Sequence, residues 1–127
     1  MPAEGHYPQQ AGIEAYGNGG FRFAGMSHRG SILCLPTGMH AWPVRSPAEL
    51  TLASLAPVFA AASAIDVLFI GLGNEIGGLD PAIRAALRAE NIVVEAIGTG
   101  GAVRTYNVLL GEGRAVSAAL IAVENAR

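Results

Sequence analysis

Two glycine-rich stretches hold the backbone and side-chain groups best suited to binding an anion. Gly71-Leu72-Gly73 directly follows the apolar run Val67-Leu-Phe-Ile70, and Gly98-Thr99-Gly100-Gly101 opens a segment carrying Arg104-Thr105-Tyr106-Asn107. Glycines that lead into a helix can bring free N–H groups and the helix dipole against a phosphate or carboxylate. The first stretch misses the dinucleotide fingerprint Gly-x-Gly-x-x-Gly by one residue, since Ile76 holds the third glycine's place and Gly77 comes one late. Glu95 stands at about the distance expected of the acid that meets a ribose. The next helix, however, is expected to open only at Asp80-Pro81, beyond a loop from Asn74 to Asp80. A strand-end turn that needs glycine is the plainer expectation.

In the second stretch Thr99 is expected to cap a helix that Gly111 or Gly113 ends. Arg104 and Asn107 are three apart and share one face of it, beside the apolar face of Val103, Tyr106 and Leu110. They suit recognition of an anion or small ligand, or a structural hydrogen-bond network. Tyr106 suits half-buried core. Glu112-Gly113-Arg114 reads as a solvated turn, or as a brace if Arg114 reaches under the sheet to Asp66 or Glu95.

Other chemistry fails on inventory. All eight basic residues are arginine, so P-loop, Schiff-base and Tyr-x-x-x-Lys mechanisms lack their amine. His6, His28 and His40 have no metal-ligand spacing. Gly25-Met-Ser-His-Arg-Gly30 is one residue off a nucleophile elbow. Cys34, between Leu33 and Leu35, reads as a small buried hydrophobe. No catalytic set, metal site or cofactor is expected.

The elements that must position these residues change character along the chain. Residues 1–12 lack periodicity and are expected as a flexible tail before a single domain over 13–127. Ile13–Tyr16 and Phe21–Phe23 flank an Asn-Gly hairpin signal. Strands follow at Gly30–Leu35 and at Ala41–Val44, where Pro43 suggests an edge or a bulge. Ser46-Pro47-Ala48-Glu49 has capping-box residues, and Pro57 splits residues 47–62 into short helical pieces. Buried strands at 67–70, 92–97 and 115–123 then alternate with helices from Asp80-Pro81 to about Glu90 and from Thr99 to Leu110. That alternation predicts an α/β domain with a largely parallel core.

The 127 residues carry a net charge of −2, with 51% hydrophobic and only 14% charged. Soluble domains average about 25% charged, so the low value points to a large core or a partner-facing surface. Scattered arginines on an acidic chain do not predict nucleic-acid binding. The longest apolar run, 50–65, is interrupted and short of the about 20 residues of a membrane span. Membrane insertion is therefore not expected, and peripheral association stays open. The first basic residue is Arg22, which gives neither a signal peptide nor a presequence and makes the cytoplasm the expected location.

Taken in order, Tyr16-Gly-Asn-Gly-Gly-Phe-Arg-Phe-Ala-Gly25, Gly30-Ser-Ile-Leu-Cys-Leu-Pro36, Trp42, Phe69-Ile-Gly-Leu-Gly73 and Arg104-Thr-Tyr-Asn-Val-Leu-Leu-Gly-Glu-Gly-Arg-Ala115 form a pattern. It resembles the family of respiratory complex I assembly factor 3, a domain-of-unknown-function family with bacterial, archaeal and mitochondrial members. The resemblance spans residues 12–122 and is most specific at Arg104–Asn107 with Glu112 and Arg114. It implies a three-layer α/β domain with a mixed central sheet and an extra N-terminal β-hairpin layer. It implies no established activity or cofactor, and in mitochondria a role in complex I assembly beside a partner factor. Gly71-Leu-Gly73 departs from the family's usual Gly-Thr-Gly, which removes a hydroxyl from that loop.

The expectation is a non-enzymatic interaction or assembly domain that meets a protein partner, a second copy included. The alternative is a nucleotide or organic-anion binder, or an enzyme, with its site at the strand C-terminal ends. Gly71, Gly73, Thr99, Arg104, Tyr106, Asn107, Glu112 and Arg114 are the candidate ligand or partner residues.

Overall fold

The computed structural model describes residues 6–74 and 77–126. It contains nine strands: β1 (His6–Tyr7), β2 (Ala15–Gly17), β3 (Gly20–Phe23), β4 (Met26–Arg29), β5 (Ser31–Leu35), β6 (Gly38–Trp42), β7 (Val67–Gly71), β8 (Val93–Ile97) and β9 (Val116–Leu120). Helices α1 (Ala56–Ala60), α2 (Pro81–Ala89) and α3 (Thr99–Gly111) complete it, with 3-10 turns at Pro47–Glu49, Ala53–Leu55 and Ala62–Ala64.

Six strands form one mixed sheet in the order β1-β6-β5-β9-β7-β8. β7 lies parallel to both β8 and β9, and β9 lies antiparallel to β5. The direction of the last strand is thereby fixed. β2, β3 and β4 form a separate antiparallel sheet. The sheet separates two cores. On one side Leu68, Ile70 and Val94 pack with Ile83 and Leu87 of α2 and with Leu55 and Val58. On the other, Phe69, Ala118 and Leu120 pack with Ala102, Val103 and Tyr106 of α3 and with Phe21 and Phe23 of the small sheet. β7 alternates between the two cores along a fully apolar run, as a strand covered on both faces must.

Several elements follow their local chemistry. Asn18 and Gly19 both take positive φ (53° and 75°), the geometry of a two-residue turn matched to strand twist. Asp80 caps α2 by accepting the Ala82 N–H, with Pro81 in the first turn. Short helical pieces replace one long helix around Pro57.

Other expectations are corrected. Residues 6–12, expected within a flexible tail, are built into the fold, because β1 pairs with β6 through His6↔His40 and Tyr7↔Met39. β6 is consequently not an edge strand, and Pro43 lies just beyond its end, where no ladder donor is needed. β4 went unforeseen, since its turn places Ala24 at φ 49° before Gly25, and alanine gives no hairpin signal. Ser46 makes no side-chain cap bond, whereas Glu49 Oε1 accepts the Arg45 N–H at 2.8 Å. Thr99 does not cap α3 either; Gly98 occupies that position.

Candidate functional site

Thr99 sits in the first turn of α3 and is fully buried. Its Oγ1 accepts the Gly73 N–H at 2.9 Å and donates to the Ile121 carbonyl at 2.7 Å. The Thr99 N–H donates to the Gly73 carbonyl, the Ile121 N–H to Gly71 and the Leu72 N–H to Ile97. One hydroxyl thus knits together the chain leaving β7, β8 and β9. Gly71 exists for this contact: a Cβ there would lie 2.9 Å from Thr99 Oγ1 and 3.0 Å from Thr99 Cα. Gly73 turns the chain at φ 78°. Close packing and turning account for both glycines.

Beside this knot lies an open groove of about 590 Å³, lined among others by Gly73, Asn74, Gly98, Gly101 and Arg104. Arg104 is exposed and makes no hydrogen bond or ion pair among the described residues. Ile76, which stands in the place of the fingerprint's third glycine, lies outside the described residues. The N-terminus of α2 is occupied by the carboxylate of Asp80 itself. Any anion would therefore meet α3 and Arg104, not α2.

Tyr106 and Asn107 face away from the groove. Asn107 Oδ1 accepts the Ile13 N–H and its Nδ2 donates to the Ile13 carbonyl, both at 2.8 Å, so one amide side chain pairs with Ile13 as a strand would. Gly12 is close enough that a Cβ would lie 3.1 Å from Asn107 Oδ1. The Tyr106 hydroxyl donates to the Ala11 carbonyl at 2.7 Å, and Gln10 Nε2 donates to that hydroxyl and to the Val116 carbonyl. Residues 10–13 form a strap held across α3 and β9. Burial pushes the Tyr106 phenol up, with Cys34 beside it adding to the shift. Burial likewise pushes the Cys34 thiol up to about 12, against a smaller opposing effect of the Tyr106 hydroxyl. Neither is a nucleophile near neutral pH.

Glu112 and Arg114 lie at the other end of α3, roughly 20 Å along its axis from Thr99. The Gly113 N–H bonds Leu110, the Arg114 N–H bonds Leu109 and Gly113 takes φ 75°, a Schellman stop. Both side chains are exposed. Arg114 makes no ion pair with Asp66 or Glu95.

The eight candidate residues therefore fall into three places: Gly71, Gly73, Thr99 and Arg104 at the strand ends, Tyr106 and Asn107 on the strap, and Glu112 and Arg114 at the helix stop. Gln10 and Arg84 are polar side chains whose positions the sequence does not announce. Gln10 sits in a segment without periodicity. Arg84, on α2, donates Nη1 to the Val94 carbonyl at 3.0 Å.

Residues 13–121 match the family described as protein of unknown function (DUF498/DUF598). An uncharacterized protein of Rhodobacter capsulatus is 35% identical over 98% of this chain and 95% of its own length. Mouse NADH dehydrogenase [ubiquinone] 1 alpha subcomplex assembly factor 3 is 32% identical over 93% of this chain, which spans 64% of that relative's length. A crystal structure of a Bartonella henselae protein, described as an outer membrane protein, superposes with a TM-score of 0.89 at 48% identity, over 94% of this chain and 100% of that one.

Proposed function

From the premise that the chain belongs to the DUF498/DUF598 family, we propose that it is a protein-interaction module of the assembly-factor kind. The observation that carries the reading is where apolar side chains are left uncovered. Val93 and Ile97 of β8 and Val108 of α3 are 60%, 36% and 59% exposed. Ile97 lies against Gly101, and Gly101, Arg104 and Val108 succeed one another along the outer face of α3. Among the described residues Met26 and Leu52 are exposed elsewhere, but Val93, Ile97 and Val108, gathered on one flank of a chain with so few charges, suit a partner surface. Tyr106 and Asn107 of the most specific motif, by contrast, hold the chain's own strap in place.

The name of the mouse relative supports respiratory complex I as the assembly served. No helix among the described residues is long and apolar enough to cross a membrane. In this reading the protein acts on the complex from the cytoplasm. Deleting the gene in its host is expected to lower the amount of assembled NADH:ubiquinone oxidoreductase on native gels. An unchanged complex, together with a monomer that cross-links to no partner in its host, would overturn the reading.

One observation favours a second reading, a small organic anion in the groove: Arg104 stands unpartnered beside the first turn of α3. A thermal-shift screen of nucleotides and carboxylates tests it. Stabilisation that Arg104→Ala abolishes would support it, and a flat screen would remove it.

A further inference from the structure

Among the described residues the six-stranded sheet ends at β8, and no strand pairs with its outer edge. The Val93 N–H donates inward to Asp66 and the Ile97 carbonyl accepts from Leu72, so Val93, Glu95 and Ile97 turn their peptide groups toward β7. By strand alternation Val94 and Ala96 turn theirs outward. Among the described residues one of these outward groups is taken, the Val94 carbonyl, by Arg84 of α2. Edge strands are commonly blunted by proline, a bulge or a cover. β8 has no proline and no bulge, its one cover among the described residues is Arg84 on the Val94 carbonyl, and it pairs with β7 in unbroken register from Val67↔Val93 to Gly71↔Ile97.

Two grooves along this edge are lined by more basic than acidic side chains. Arg84 and Arg88 line a groove of about 470 Å³ along residues 91–95, and Arg104 lines the groove at the strand's far end. Glu95 is the one acid among the residues lining these two grooves. Three of the chain's eight arginines thus flank a single strand of a protein whose net charge is −2. Arg88 and Arg104 have no partner among the described residues. Val94 and Ala96 face the α2 side, where the first two arginines stand, whereas Val93 and Ile97 offer apolar contact on the α3 side.

We propose that β8 is a docking edge for an extended acidic segment of a partner protein, which adds to the sheet as a further strand and alternates acidic with apolar residues. Backbone pairing at the Val94 N–H and at both peptide groups of Ala96 would supply affinity, and side-chain alternation specificity. The acidic residues would lie toward Arg84 and Arg88 and the apolar ones beside Val93 and Ile97. A second copy fits poorly. Two-fold antiparallel pairing about the strand centre would set Glu95 against Glu95 and bring the arginines of both copies to one seam.

The proposal rests on the interaction reading and names its surface and the partner's chemistry. Its test is an amide NMR titration of the full chain with a blocked Val-Glu-Val-Glu-Val-Glu-Val peptide at millimolar concentration, and with the Val-Lys counterpart. The acidic peptide is expected to shift the Val94 and Ala96 amides and to slow their exchange at least tenfold, while the basic one leaves them unchanged. Arg88→Glu is expected to abolish the response without lowering Tm, and Ala96→Pro to abolish it by removing an outward N–H. Equal response to both peptides, shifts confined to other elements, or amides already protected by self-association in the free protein would overturn it. A host partner captured equally by wild type, Arg88→Glu and Ala96→Pro would overturn the β8 assignment and leave the interaction reading standing. Capture of no partner by any form would remove that reading instead.

Discussion

The two flanks of the main sheet use their polar groups in opposite ways. At the β6 flank, β1 pairs with β6, the Ala11 N–H meets Met39 Sδ at 3.4 Å, and Gln10, Tyr106 and Asn107 spend their hydrogen-bonding groups on the strap and its neighbours. At the β8 flank no strand among the described residues pairs with the outer edge, where Arg84 meets only the Val94 carbonyl, and Arg88 and Arg104 stand in open grooves. Partnered polar groups fix the chain's own path, and unpartnered ones beside apolar surface remain available to another molecule. The difference turns one motif into two roles, since Arg104 and Asn107 are three residues apart and serve different flanks.

The sharpest way to break this contrast is at Tyr106. Its side chain is fully buried among Cys34, Met39, Phe69 and Ala118. Tyr106→Ala is expected to cost about 3–5 kcal/mol in chemical denaturation, from lost burial and the cavity left behind. Tyr106→Phe removes only the hydroxyl and is expected to cost about 1 kcal/mol. Hydrogen exchange should speed up at residues 11–13 and β1 while β8 keeps its wild-type rates. Loosening of β8 instead would join the two flanks into one unit.

Thr99 stands between the flanks. Thr99→Val keeps the shape and leaves the buried Gly73 N–H and Ile121 carbonyl short of one bond each, at an expected cost of about 2–4 kcal/mol. Ser117 supplies the opposite control: its hydroxyl is buried and has no partner among the described residues. Ser117→Ala is expected to be neutral or to stabilise by up to about 1 kcal/mol in the same assay. A Thr99→Val variant as stable as the wild type would show that these hydrogen bonds do not govern the strand ends.

Asn107→Ala probes the strap itself. Ile13 would lose both partners, but the site is half-buried and water can replace them in part, so the expected cost is about 1–2 kcal/mol. Protease sensitivity near residue 12 should rise with it. A strap that stays protected would place its anchorage in β1 and Gln10.

What the sequence discloses divides along the same line. Elements whose signal is local are legible: the β7 run, the Asp80-Pro81 start of α2 and the Asn18-Gly19 turn. β1 is two residues long and exists only through partners in β6, and Gln10 finds Tyr106 96 positions away. No local pattern encodes such contacts. Thr99 illustrates a subtler limit. Its sequence setting, among glycines at a helix start, is that of a cap, and only the convergence of three strand ends makes a bridge more favourable. Arg104, Tyr106 and Asn107 are legible as neighbours on one helix, but not their division into inward and outward members, because Arg104 and Asn107 occupy adjoining faces whose neighbours come from distant chain.

The smallest effect separates the flanks most cleanly. Arg104 is exposed, unpartnered among the described residues and set beside a groove, so Arg104→Ala is expected to change stability by no more than about 0.5 kcal/mol. The same substitution should weaken capture of the host partner, because it removes a charge at the end of β8. Asn107→Ala, although it destabilises the fold, should leave that capture intact at temperatures where the protein remains folded. These opposite orders, measured on the same two variants by denaturation and by cross-linking, are what a division between a fixed flank and a free flank requires. Should Arg104→Ala unfold the protein, or Asn107→Ala release the partner, the polar residues of α3 would act as a single unit, and the free flank would not exist as a separate surface.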